Sequence, residues 1–170
     1  MTQANQPTIT IRPPTPADGL AMWELVRRSG GLDLNSPYAY LMASRNWQAT
    51  CVLAQAGSDL AGMVMAYCLP DRPDTLFVWQ VGVDPAFRGR GLGVAMLSNL
   101  AAKLGNAIRF LETTITPSNR ASQALFRSFA RDMNAPVAIS PWVSSHDFPD
   151  NHEGEDLFRI GPFPQKGMPQ

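Results

Sequence analysis

The sequence predicts a mixed α/β layer structure in a single domain. Three observations carry that expectation. Apolar runs of strand length recur at 50–54, 60–69, 75–83 and 108–116. Between them lie stretches with helical spacing, clearest in Leu92, Met96, Leu100 and Leu104 with Ala95 and Ala101. The 170 residues hold no internal repeat and no linker that would justify a second domain. One domain over 1–170 is therefore expected, with its core at about 9–163 and both ends frayed.

Each element has a local reason. Ile9-Thr10-Ile11 alternates and reads as a first strand. Thr15-Pro16-Ala17-Asp18 supplies an N-cap, a proline at the first helical position and an acidic residue three on. The helix it opens carries Leu20, Trp23, Leu25 and Val26 and stops at Gly30-Gly31. Asn35-Ser36-Pro37 starts a shorter helix bearing Tyr38, Leu41 and Met42. Thr50 to Ala54 and Leu60 to Leu69 form a hairpin turned at Gly57-Ser58-Asp59. Thr75 to Val83 reads as a buried strand, and the helix from Leu92 follows it after a glycine-rich loop. Ile108 to Thr116 is a strand, and Pro117-Ser118-Asn119 starts a last helix with Leu125, Phe126, Phe129 and Met133. Pro136 to Ser140 and Leu157 to Ile160 are candidate closing strands. The polar stretch Trp142 to Asp156 reads as a long loop, of the kind that often carries function.

Composition narrows the classes of partner. Fourteen basic residues balance fourteen acidic ones, so no net field draws nucleic acid or an anionic membrane. The polar start lacks the apolar core of a secretory signal, and no apolar run approaches membrane-spanning length. A cytoplasmic protein is expected, with Cys51 and Cys68 as buried free thiols rather than a bridge. His146 and His152 have no cysteine or second histidine at ligand spacing, so no metal is expected.

The chemistry-bearing motif is Arg88-Gly89-Arg90-Gly91-Leu92-Gly93, at a strand-to-helix junction. Glycines there let backbone N–H groups approach a ligand without Cβ obstruction. The helix adds its unpaired N–H groups and partial positive charge, which suits phosphate or pyrophosphate. A Walker loop would need Gly-Lys-Ser/Thr, whereas Gly91 precedes Leu92 and Gly93. A dinucleotide fingerprint fails because Val94 stands where the third glycine belongs. The plainer alternative is a tight solvated turn that merely needs glycine.

Strand, Asp84-Pro85-x-x-Arg88-Gly89-x-Gly91-x-Gly93, helix, strand, then Asn119 seven residues before Phe126, resembles the Gcn5-related N-acetyltransferases. The resemblance spans roughly 9–133. It implies a mostly antiparallel central sheet flanked by helices, with two strands splayed at an acetyl-coenzyme A site. It further implies that Arg88, Gly89, Arg90, Gly91, Leu92 and Gly93 hold the pyrophosphate. Val81 and Val83 become backbone partners of the pantetheine and acetyl groups, and Asn119 and Phe126 flank the coenzyme near its sulfur. Asp33-Leu34-Asn35-Ser36-Pro37-Tyr38, Leu76-Phe77-Val78-Trp79-Gln80-Val81 and Leu157-Phe158-Arg159-Ile160-Gly161-Pro162 are unusual for that family at large. They resemble its branch that acetylates the side-chain amine of diaminobutyrate on the way to the compatible solute ectoine. Members are typically homodimers, so a homodimer is implied.

A diamino acid needs anionic or aromatic surfaces for its ammonium groups and a donor for its carboxylate. Asp33, Tyr38, Trp79 and Glu155 are the candidates for that pocket. Trp79 reads equally as core packing, Asp33 and Tyr38 as exposed loop and helix-start residues, and Glu155 as part of a solvated acidic stretch. Glu112 is a candidate general base, as are Asp33 and Glu155, and Glu112 reads equally as a structural partner within the sheet. The tyrosine that often protonates the leaving thiolate in this family falls at Phe126, which has no proton to give. Tyr38 is the candidate acid in its place. Acetylation of another small diamine or amino acid is the alternative within the fold. A non-catalytic acyl-coenzyme A sensor is the alternative outside catalysis.

Overall fold

The computed structural model describes residues 8–149 and 152–164. The polar start at 1–7 and the tail from 165 onward, both expected to fray, lie outside the described residues. Among the described residues seven strands form one sheet in the order β1-β2-β3-β4-β5-β7-β6. They are β1 (Ile9–Arg12), β2 (Val52–Ala56), β3 (Asp59–Leu69), β4 (Arg72–Val83), β5 (Phe110–Ile115), β6 (Val137–Val143) and β7 (Glu155–Ile160). The helices are α1 (Gly19–Ser29), α2 (Pro37–Asn46), α3 (Leu92–Leu104) and α4 (Arg120–Asp132). Pairing is antiparallel at β1–β2, β2–β3, β5–β7 and β6–β7, and parallel at β4–β5. The mixed, mostly antiparallel architecture expected from the sequence is the one observed.

The described residues divide into two compact units, one of residues 8–65 with 80–96 and one of 66–79 with 97–149 and 152–164. In the first, α1 opens as the sequence predicts. Asp18 reaches back to the Thr15 amide and hydroxyl at 2.6 and 2.7 Å, relieving the unpaired donors of a helix start. Arg12 of β1 clamps the same carboxylate through two hydrogen bonds of 2.9 and 2.8 Å. The apolar faces of α1 and α2 bury Met22, Leu25, Val26, Tyr40 and Ala43 with Leu53, Met63 and Met65 of the hairpin. Cys51 is buried there as expected, whereas Cys68 is only half-buried, and neither is in a disulfide. Burial pushes the Cys68 thiol above its ordinary pKa.

In the second unit, β5 lies parallel to β4 over the register Thr75↔Phe110 to Phe77↔Glu112, while β4 itself runs on to Val83. Phe129 of α4 and Phe163 are both buried and meet edge-to-face at 6.0 Å. One expectation is corrected here. The long loop 142–156 is shorter than the sequence suggested: Trp142 and Val143 belong to β6, and Glu155 and Asp156 begin β7. Val143 pairs with Glu155. The strand at Val137 is also half hidden from sequence reasoning, because five consecutive residues of β6 are exposed and no period-two burial marks it.

Candidate active site

The glycine-rich loop is fixed from both sides. Upstream, the Asp84 amide donates to the Ala61 carbonyl at 2.9 Å, and its carboxylate accepts from the Ala86 amide at 2.9 Å. Arg28 pairs with the same carboxylate at 3.2 Å. These bonds turn the chain through Pro85–Phe87, which explains an aspartate followed by proline at this point. Downstream, Ala95 donates to the Gly91 carbonyl at 3.0 Å, so the first turn of α3 starts on the loop itself. Its first amides have no carbonyl four residues back within the helix.

Gly89 and Gly91 have φ of +74° and +70°. A Cβ at either would meet no heavy atom within 4 Å, so the chain itself leaves the space over both glycines open. L-residues avoid that backbone region, which accounts for glycine at both positions. Two left-handed glycines one residue apart, ahead of a helix start, form a backbone pattern suited to receiving a phosphate oxygen. The loop therefore fits the pyrophosphate of a coenzyme.

The loop's arginines are engaged with backbone. The Arg88 guanidinium donates to the Ser29 carbonyl and, through Nε, to the Val83 carbonyl at 3.2 Å. Arg90 donates to the Ala86 carbonyl at 3.2 Å and lies over the Phe87 ring.

The connection between α1 and α2, which carries Asp33, is tied to β4. Gln80 donates from Nε2 to the Asp33 carbonyl at 2.7 Å. Leu32 packs at the site where a Cβ on Gly82 would stand, 3.4 Å away. Asp33 is exposed, and Tyr38, one residue into α2, is 68% exposed. Val81 and Val83 are half-buried on β4, flanking the buried Gly82.

The remaining candidates lie in the second unit. Trp79 on β4 is 42% exposed between buried Val78 and Gln80, so its ring is not core packing. Asn119 caps α4, its side chain accepting from the Ser122 amide at 3.0 Å. Phe126 is buried on the inner face of α4. Glu155 is half-buried, on a strand rather than in a loop. Glu112 is 2% exposed, and both its oxygens accept from arginines. Arg72 binds them at 2.6 and 3.1 Å, and Arg159 binds Oε1 as well. Arg159 in turn stacks on Phe110 at 3.8 Å. The bond to Glu112 holds the Arg72 guanidinium above its ordinary pKa. Among the described residues, no group of three or more His, Cys, Asp or Glu side chains is placed to hold a metal. No helix among them is long and apolar enough to cross a membrane.

Residues 20–130 match the acetyltransferase (GNAT) family. The chain belongs to that family. It is 47% identical over 157 residues to the L-2,4-diaminobutyric acid acetyltransferase of Halalkalibacterium halodurans, covering 91% of this chain and 82% of that one. Identity is 44% to the protein of the same name from Streptomyces coelicolor, covering 96% and 99%. Among solved structures, the chain superposes with a TM-score of 0.88 on the diaminobutyrate acetyltransferase EctA of Paenibacillus lautus. That structure holds its substrate L-2,4-diaminobutyric acid and coenzyme A, is 40% identical, and covers 94% of this chain and 98% of its own.

Three features of this acetyltransferase escape sequence reasoning. The buried pair Tyr40 and Gln80 bonds across forty positions, the two arginines on Glu112 come from forty and forty-seven positions away, and Arg88 turns toward its own backbone. For the last, the signal was present but ambiguous. An arginine beside glycines reads as a ligand for phosphate whether it touches the anion or shapes the loop.

Proposed function

We propose that this acetyltransferase moves the acetyl group of acetyl-coenzyme A to the side-chain (γ) amine of L-2,4-diaminobutyrate, giving the N4-acetyl product used in ectoine synthesis. The observation that carries this reading is the fold and sequence shared with the Paenibacillus lautus enzyme over 94% of the chain, a structure holding both substrate and coenzyme. The match at 20–130 contains parts of both units, which supports reading them as one catalytic domain.

The coenzyme brings an acetyl thioester. Backbone amides from Gly89 to Gly93 and the start of α3 receive its pyrophosphate, with Arg88 and Arg90 shaping the loop. Val81 and Val83 offer backbone groups to the pantetheine arm and to the thioester oxygen, where negative charge develops during transfer. Asn119 and Phe126 flank the sulfur. Asp33, Trp79, Glu155 and Tyr38 receive the diamino acid, two of them as carboxylates and two as aromatic surfaces for its ammonium groups.

The attacking amine must first lose a proton. A base needs a lone pair directed at that proton, and the Glu112 oxygens are engaged by Arg72 and Arg159. Glu112 therefore acts as a structural anchor of β4, β5 and β7, and the base is Asp33 or Glu155, directly or through water. The leaving thiolate takes its proton from Tyr38 or from water, since Phe126 has none to give. The active form is a cytoplasmic homodimer.

Thiol release with acetyl-coenzyme A and a panel of diaminobutyrate, ornithine and lysine tests this reading. The expected result is the highest kcat/KM with diaminobutyrate. Preference for ornithine or lysine overturns the substrate assignment. No thiol release with any amine, despite coenzyme binding, overturns the enzymatic reading for that panel. Sedimentation at twice the 18.6 kDa chain mass supports the dimer, and sedimentation at the chain mass refutes it.

A further inference from the structure

Gln80 sits on β4 between Trp79 and Val81, and its side chain is buried. Its amide is used at both ends. Nε2 donates to the Asp33 carbonyl at 2.7 Å, and Oε1 accepts from the Tyr40 hydroxyl at 3.0 Å. Tyr40, on the inner face of α2, is fully buried in the core, and its oxygen also accepts from the Asn35 amide at 3.4 Å. The polarity of this chain of bonds is fixed. The Asn35 N–H can only donate and the Asp33 carbonyl can only accept, so the hydroxyl proton must go to Oε1 and the amide hydrogens to Asp33. Two backbone groups flanking Leu34 are thereby held by one buried side-chain pair. Only a residue with a donor and an acceptor on one planar head serves here. Glutamate lacks the donor, and leucine would leave the Tyr40 hydroxyl and the Asp33 carbonyl short of a partner.

We propose that Tyr40 and Gln80 form a positioning relay that sets where the Asp33 carboxylate meets the ammonium group of the amine substrate. The relay rests on the reading that Asp33 receives that amine. Because Gln80 lies one residue from Val81, the strand proposed to offer backbone to the acetyl group also holds the main chain that carries the Asp33 carboxylate. A small displacement of the Asp33 backbone costs amine affinity and orientation. It leaves the pyrophosphate loop, which is fixed by Arg88 and Asp84, in place.

Three variants test the relay: Gln80→Glu, Tyr40→Phe and Asp33→Asn. For each, KM for diaminobutyrate, KM for acetyl-coenzyme A, kcat and Tm are measured well below the melting temperature. Gln80→Glu sets a carboxylate oxygen against the Asp33 carbonyl and is expected to raise the amine KM about ten-fold, with the coenzyme KM within about two-fold. Tyr40→Phe removes one oxygen and is expected to raise the amine KM about three-fold. In the double variant Asp33→Asn/Gln80→Glu the two effects should fall short of their product, as for residues acting through one another. A merely structural pair would lower Tm while moving both KM values together or neither, and that result overturns the relay. If Asp33→Asn raises the amine KM and neither relay variant does, the relay fails while the Asp33 assignment stands. If Asp33→Asn leaves the amine KM unchanged, the assignment beneath the relay fails and the relay falls with it. Should Gln80→Glu not fold, Tyr40→Phe and its double variant with Asp33→Asn decide the question by the same criteria.

Discussion

The guanidinium of Arg88 donates to the carbonyl oxygen of Ser29, the last residue of α1. Its Nε meets the Val83 carbonyl at the end of β4. One side chain thus pins the glycine-rich loop to the end of α1 and to the strand it leaves. Ser29 is buried, so its carbonyl has no ready solvent substitute for this donor.

Arg88→Ala is therefore expected to cost about 1–2 kcal/mol of stability through the two deserted carbonyls. It should raise the KM for acetyl-coenzyme A about ten-fold while leaving that for the amine nearly unchanged. Denaturant melts and steady-state kinetics check both parts. Lysine at this position restores the charge but not the two-pronged geometry, and should recover little.

Gly91→Val tests the cradle itself. At φ +70° a branched side chain is strained by about 2 kcal/mol before any ligand arrives, and its methyls fill the open space over the loop. Coenzyme affinity, measured by calorimetry on the folded variant, should fall below detection. Unchanged affinity would mean that the pyrophosphate lies elsewhere.

Glu112→Gln separates an anchor from a base. Removing the charge leaves Arg72 and Arg159, with side chains 44% and 31% exposed, without their shared counter-ion. A loss of about 1–2 kcal/mol is expected, with kcat of the folded variant within about three-fold of the parent. A hundred-fold or larger fall in kcat at unchanged Tm would restore Glu112 as the general base.

The Arg12 guanidinium, helped by the amide and hydroxyl of Thr15, holds the Asp18 carboxyl well below the usual carboxylate range. A folded-state pKa lower than the unfolded one stabilises the protein above the unfolded value of about 3.9, and the gain is lost as pH falls toward the folded value. Asp18→Asn should therefore lower Tm most between about pH 5 and 7, with the gap to the parent closing below about pH 4. A gap that stays constant down to acid pH would exclude the Arg12–Asp18 pair as its cause.

Much of this molecule was legible before any coordinate. Capping at Thr15, the proline that opens α2 at Pro37, the turn at Gly57 and the spacing from Leu92 to Leu104 are local signals, and local signals survive folding. The far end of the sheet was harder. Strand β6 is exposed over Ala138 to Trp142, so nothing in its apolar pattern distinguishes edge strand from loop. The polar start of β4 at Arg72-Pro73-Asp74 hid in the same way. At the candidate site, the glycines announced themselves because their backbone requirement is written in residue type. The partners of Glu112 and Gln80 did not, because a carboxylate or an amide in a strand looks alike whether it faces a substrate or two distant side chains. Only the three-dimensional neighbourhood separates those cases.

The engagement of Arg88 and Arg90 with carbonyls has a bearing on salinity. Attraction between mobile surface charges fades once dissolved ions crowd within a Debye length, about 8 Å at physiological ionic strength and about 3 Å at 1 M. Oriented peptide dipoles touching a phosphate act at contact, inside that distance. Under the proposed assignment of the glycine-rich loop to the coenzyme pyrophosphate, coenzyme affinity is therefore expected to change little as ionic strength rises.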